Sequence, residues 1–310
     1  MTDNNIAPHV RDSNIAPHVR DSTIAPRVRD STIAPHVRDA GPLLYPVNTA
    51  LGRFGIANLV DSPDPFVSSM PVAGLVNPLT GVPTAGPLAV LVDHVAGLVN
   101  HYRRADDEWT VSSELSLELT PTALAVIADK PDVAVIATAR PVGTRAESAF
   151  GTCELTIDDT VIGIGTVRSV YVTHPGEFPQ EWPATPVDAR RPTDLAEIMA
   201  LRTGTGNGSA VIHQDANPLL NNNLAIMHGG VAAAGLELAA CAALNADRPD
   251  RPLNTASLRV NFLRQFVSGG DSRYVGTALR VGKRTGAADA RAVGADAEIA
   301  LIGRVTAYRF

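Results

Sequence analysis

The sequence predicts an α+β chain in which one unit occurs twice: a short entry strand, a single helix, then a run of antiparallel strands. Three observations lead there. Similar segments recur at a spacing of about 140 residues, the mark of an internal duplication. The stretch after each helix alternates apolar and polar residues, as a half-buried strand does. A stretch at 175–192 carries Pro175, Pro179, Pro183, Pro186 and Pro192 and reads as the linker between the copies.

Taken in order, the first 40 residues are a tandem nonapeptide. Asn5-Ile6-Ala7-Pro8-His9-Val10-Arg11-Asp12-Ser13 recurs from Asn14, Thr23 and Thr32 with small changes. A proline in every unit and little apolar content predict a disordered tail, with a short docking motif as the alternative. In the first copy Gly86-Pro87-Leu88-Ala89-Val90-Leu91-Val92-Asp93 leads into a helix. Gly230-Val231-Ala232-Ala233-Ala234-Gly235-Leu236-Glu237 does the same in the second, and each glycine precedes its carboxylate by seven residues. Alternating strands follow at 114–119 and 257–262. Further strands at 134–140 and 273–279 lead into the turns Gly143-Thr144-Arg145 and Gly282-Lys283-Arg284. Each copy then has two more strands, at 148–157 and 161–172, and at 287–294 and 298–310. The expected organisation is a tail at 1–40, a first unit at 41–174, a linker at 175–200 and a second unit at 201–310.

A chain of 310 residues is long enough for two cores. Apolar residues at 45% and charged residues at 19% describe a globular protein, and only 5% aromatics leave Ala, Val and Leu to fill its interior. The net charge of −6 argues against a nucleic-acid partner, although a local cluster can still hold an anion. Cys153 and Cys241 form neither a metal pattern nor a disulfide framework. The most apolar stretch, 86–99, is interrupted by Asp93 and His94 and is too short to span a bilayer, and no leader is evident. A cytoplasmic protein without membrane association is therefore expected. His9, His18 and His36 belong to the tail, and His174 and His213 have no companion at metal-ligand spacing.

The densest signal is Asn221-Asn222-Asn223-Leu224-Ala225-Ile226-Met227-His228-Gly229-Gly230 before the alanine-rich helix that carries Glu237. Two glycines at a helix start let backbone approach a ligand. The free N–H groups and dipole of that helix end favour developing negative charge. One such donor at an attacked carbonyl is worth about 3 kcal/mol of barrier. Glu237, about two turns along an otherwise apolar helix, is a candidate base or nucleophile. Plainer readings stand beside these. Asp93 could cap the helix or pair with His94, His228-Gly229-Gly230 could be only a tight turn, and the asparagines could be caps. Cys241, one turn after Glu237, reads as core.

With these residues the sequence resembles the hotdog-fold acyl-CoA thioesterases, in particular the phenylacetic-acid-pathway type. That family places an Asn or Gln seven residues before the first glycine of His-Gly-Gly and an acid eight residues after it. Asn222, Gly229 and Glu237 match both spacings. The resemblance is good over 206–310 and weak over 77–172. It implies two fused hotdog domains, each an antiparallel sheet wrapped around a central helix. It implies hydrolysis of acyl-CoA to acid and CoA by carboxylate-assisted attack of water or through an anhydride, without metal or cofactor.

Under the resemblance, Gly229 N–H holds the thioester oxygen, Asn222 orients the carbonyl or the water, and His228 places the glycine turn next to Gly230. Family sites combine the glycine turn of one protomer with the acid of the other. In a fused chain, the turn of the second half would face Asp93 of the first. Glu237 would face a first-half turn in which Pro78, Thr84 and Ala85 replace the amide, the His and the first Gly. One working site, Asn222/Gly229/Asp93, and one degenerate site at Glu237 are expected. Ser112 or Ser113 would support Asp93, and Thr255 would support Glu237. Arg145, Arg284, Lys283, Arg259 and Arg264 are candidates for the CoA phosphates. A non-catalytic acyl-CoA-binding protein is the main alternative, a hotdog dehydratase a lesser one, and a homo-oligomer of fused units is the expected assembly.

Overall fold

The structure, a computed structural model, describes residues 42–174, 176–182, 190–203 and 210–309. The nonapeptide tail and parts of the expected linker lie outside the described residues. The first half runs β1 (Leu43–Leu44), α1 (Ala50–Arg53), β2 (Ala57–Val60), β3 (Phe66–Met70), α2 (Leu88–His101), β4 (Glu108–Leu119), α3 (Ala123–Asp129), β5 (Val135–Val142), β6 (Ser148–Ile157) and β7 (Thr160–Thr173). The second runs α4 (Leu195–Met199), β8 (Leu201–Thr203), β9 (Ala210–Gln214), α5 (Gly229–Asn245), β10 (Asn254–Phe262), β11 (Arg273–Val281), β12 (Thr285–Val293) and β13 (Ile299–Tyr308).

All these strands form one antiparallel sheet in the order β1-β2-β3-β5-β6-β7-β4-β10-β13-β12-β11-β9-β8. The halves join where β4 pairs with β10, Ser257 opposite Glu118 and Asn261 opposite Glu114. From that seam outward six strands of each half match in order, with β1 as an extra edge strand of the first half, so the two are related by a pseudo-two-fold axis through the β4–β10 pair. Each sheet half wraps its own helix, α2 or α5, and the helices touch each other behind the seam. This is the arrangement the resemblance implies.

The low aromatic content is why the helices sit so close to the strands. A Cβ at Gly151 would come within 2.5 Å of Ala96 O on α2, and one at Gly276 within 2.0 Å of Ala239 O on α5. Glycine at these points lets strand and helix backbones touch directly. α5 is buried along nearly its whole length, which explains a helix that is apolar all round. Leu195, Ile198 and Met199 of α4 are buried too. That segment, read as linker from its prolines, therefore opens the core of the second half.

The two seam strands carry matched irregularities. β4 shifts register between Ser112 and Glu114, and β10 shifts between Thr255 and Ser257. Each bulge re-aims one side chain beside the helix it faces.

Candidate active site

Asp93, on α2, is 9% exposed and lies at the start of α5 of the other half. Gly230 N–H donates to its Oδ2 at 2.7 Å, and the Ser112 hydroxyl donates to its Oδ1 at 2.8 Å. His228 caps α5, with Nδ1 accepting from Gly230 N–H at 3.2 Å and lying 3.4 Å from Asp93 Oδ2. Burial pulls the His228 imidazole below its usual range, against the opposing pull of Asp93, so the ring stays neutral near pH 7. Gly230 spends its N–H on Asp93. That leaves Gly229 as the glycine amide for a ligand at the positive end of the α5 dipole. A Cβ at Gly229 would meet Asp93 Oδ2 at 2.8 Å and Phe262 Cε1 at 3.2 Å, so this approach tolerates only glycine.

A cavity of about 900 Å³ opens in front of these groups. Asp93 is the only carboxylate in its described lining, and Asn222, His228 and Gly229 share that lining. Asn222 Oδ1 accepts from Leu224 N–H at 2.9 Å, so its Nδ2 is the end that can donate into the space. The turn of one half thus meets the acid of the other. His94, offered as a partner for Asp93, turns away instead. Its Nε2 bonds Asn58 Oδ1 at 3.0 Å, and burial, with His228 nearby, pulls it down to about 3.

The mirror position is built the same way and closed. Thr84 stands for His228, and its hydroxyl donates to Glu237 Oε2 at 2.6 Å. Thr255, the counterpart of Ser112, donates to Oε1 at 2.5 Å. Gly86 N–H bonds the same carboxylate and, like Gly230, reaches its capping side chain, here Thr84 Oγ1 at 3.2 Å. Glu237 is 0% exposed and lines neither the cavity at Asp93 nor the small one beside Thr84. Burial raises its pKa above the ordinary carboxylate range, and the bonds from Thr255, Thr84 and Gly86 oppose that. Ala85 fills the place of Gly229, and Cys241 below is core, its thiol pushed up to about 12 by burial.

Several supporting roles need correction. Ser112 reaches Asp93, whereas the Ser113 hydroxyl bonds Arg168 O at 3.2 Å, because the bulge turns only the first of the two inward. Arg145 is held by Glu108 at 2.6 Å and lies over the Tyr171 ring, away from the cavity. Arg284 sits in the turn between β11 and β12 and does not line it either. Arg259 pairs with Glu118 on the outer face of the sheet. Of the proposed phosphate contacts only Arg264, paired with Asp296, lines the cavity. Sequence reasoning missed Trp182 and Gln180. Trp182 lines the cavity, while Gln180 bonds Asn221 Nδ2 through Oε1 at 3.1 Å and Asn223 O through its N–H at 3.3 Å. Among the described residues no group of His, Cys, Asp and Glu could hold a metal ion, and no helix is long and apolar enough to cross a membrane.

Comparison with known proteins bears on the fold. Residues 224–299 match the family model of the thioesterase superfamily. No curated protein sequence matches the chain. Among solved structures, the tesB protein of Mycobacterium avium subspecies paratuberculosis aligns with a TM-score of 0.56 at 9% identity, covering 84% of this chain and 98% of that one. Acyl-CoA thioesterase II TesB2 of Mycobacterium marinum aligns at 0.52 with 12% identity, covering 83% and 95%. A conserved protein with a hot dog fold from Alicyclobacillus acidocaldarius aligns at 0.50 with 13% identity, covering 80% and 93%. The fold is a double hotdog, and the resemblance to hotdog-fold thioesterases read from the sequence holds.

Proposed function

We propose that this chain hydrolyses acyl-CoA thioesters to the free acid and CoA at a single site shared by its two halves. The observation that supports this most is the meeting of Asp93 and Ser112 from the first half with Gly229 from the second at the wall of one cavity, the carboxylate held there by Gly230 N–H.

The thioester carbonyl would accept from Gly229 N–H, with the α5 dipole behind it. Charge that builds on that oxygen during attack is stabilised by a donor already in place. Asp93 would take a proton from a water held between it and Asn222. The tetrahedral intermediate then collapses, the C–S bond breaks, and the leaving thiolate takes the proton that Asp93 holds. Both Asp93 oxygens already accept hydrogen bonds. Those bonds fix the orientation of the carboxylate, either as the base for an attacking water or as the nucleophile of an anhydride route. Ser112 and Gly230 are positioning groups that fix the carboxylate.

The test is release of free CoA thiol from a panel of acyl-CoAs. Turnover that depends on Asp93 supports the proposal. Binding of acyl-CoA without thiol release from any member would favour a non-catalytic binding protein.

A further inference from the structure

We infer that Gly97 holds open the channel for the acyl chain and so sets the acyl length the site accepts; this rests on the proposed acyl-CoA activity. Gly97 lies inside α2, four residues after Asp93 and about one turn further along the same face. Glycine is the costliest residue short of proline at such a position. Where glycine faces a helix elsewhere in this fold, the protein itself explains it. A Cβ at Gly165, for instance, would strike Val92 of α2 at 2.5 Å. At Gly97 no atom beyond its own stretch of helix lies within 4 Å of where a Cβ would stand. The space belongs to the cavity, whose wall Gly97 forms.

The second half supplies the contrast. Cys241 stands four residues after Glu237, is buried, and has its Sγ 3.9 Å from Leu253 O. One turn on, Asn245 bonds Leu253 O at 2.9 Å and Leu253 N at 2.7 Å. The stretch that protein fills along α5 is left empty along α2.

The cavity follows α2 from Asp93 past Gly97 and Leu98 to His101, a rise of about 12 Å. An extended alkyl chain with bonds of ~1.5 Å covers that distance in roughly eight to ten carbons. Leu51, Leu98, Val111 and Val170 supply apolar walls. Two polar groups along this stretch already have partners: His101 Nδ1 with Thr110 Oγ1 at 2.8 Å, and Ser169 with Asn100 Nδ2 at 3.0 Å. A pantetheine arm carries two amides that would lose hydrogen bonds in such a channel, whereas an alkyl chain loses none. Asn222 and Arg264 also line the cavity and offer partners to the arm and the phosphates.

The experiment measures kcat/KM for butanoyl-CoA and decanoyl-CoA with wild type, Gly97→Ala and Gly97→Leu. Gly97→Leu is expected to lower the decanoyl-to-butanoyl ratio by about tenfold or more, and Gly97→Ala by roughly threefold. Gly97→Ala is also expected to raise Tm, which keeps the test valid if the leucine variant does not fold. An unchanged ratio, or equal losses at both lengths, overturns the inference. If wild type hydrolyses neither ester, the proposed function fails and the channel is judged by Kd values for butyl-CoA and decyl-CoA thioethers. Collapse of their affinity ratio in the variants supports the inference; an unaltered ratio, or no binding of either, overturns it.

Discussion

Asp93→Asn and, separately, Glu237→Gln distinguish a working acid from its mirror image. Both changes keep the shape of the side chain. In Asp93→Asn the amide oxygen can still accept from Gly230 N–H, which lies 2.7 Å from the native carboxylate, and the Ser112 hydroxyl can rotate to accept from the new amide. The folding cost is therefore the difference between charged and neutral hydrogen bonds, about 1 kcal/mol. The catalytic cost is larger. Asp93 is the only carboxylate in the described lining of the cavity, so nothing else there can replace it as base. Loss of a general base lowers kcat by about 10²–10⁴, or roughly 3–5 kcal/mol of barrier. Glu237→Gln keeps acceptors and donors for Thr84 and Thr255 and touches no ligand space, so kcat is expected to stay within about twofold. The assay is steady-state thiol release, with Tm recorded for each variant. The reasoning is refuted if the Glu237 variant loses activity while the Asp93 variant retains it.

Other expectations follow from the same contacts. Gly229→Ala would press a methyl within 2.8 Å of Asp93 Oδ2, and kcat should fall about 10²-fold because a displacement near 1 Å is that costly at a reacting centre; wild-type kcat would contradict it. Arg264→Ala should raise KM for acyl-CoA and weaken its salt dependence while leaving kcat nearly constant, and an unchanged KM would remove this arginine from the phosphate site. His94 titrates near 3 when folded and near 6.5 when unfolded. Below pH 6.5 the unfolded chain binds a proton that the folded chain refuses. Its stabilising share is thus complete above pH 6.5 and falls by about 1.4 kcal/mol per pH unit toward pH 3. Urea unfolding at pH 7 and pH 5 should differ by about 2 kcal/mol from this residue alone. The difference should shrink in His94→Met, and an identical slope would refute the assignment.

Much of the fold is legible because the signals are local. Seven residues separate glycine from acid in both copies, and the strands after each helix alternate in the same order. The site is legible for a different reason. Asn222, His228, Gly229 and Glu237 are close together in the chain, and the partner for the turn follows from the repeat itself. What the sequence hides depends on long-range contact. Arg145 reads as a free cation until Glu108, 37 residues away, occupies it. Ser112 and Ser113 are equivalent on paper, and only the bulge in β4 chooses between them. His94 is the chain neighbour of Asp93, but successive helix residues point in different directions. Asn58 on β2 claims it instead. The closing of the Glu237 site also depends on long-range contact, because three donors from two halves converge on a fully buried carboxylate.

Calorimetric titration of the full chain with a non-hydrolysable decyl-CoA thioether tests the shared single site most directly. One equivalent should bind per chain, with heat lost in Gly229→Val and retained in Glu237→Gln. Two equivalents per chain, or binding that survives Gly229→Val and disappears in Glu237→Gln, would contradict the account.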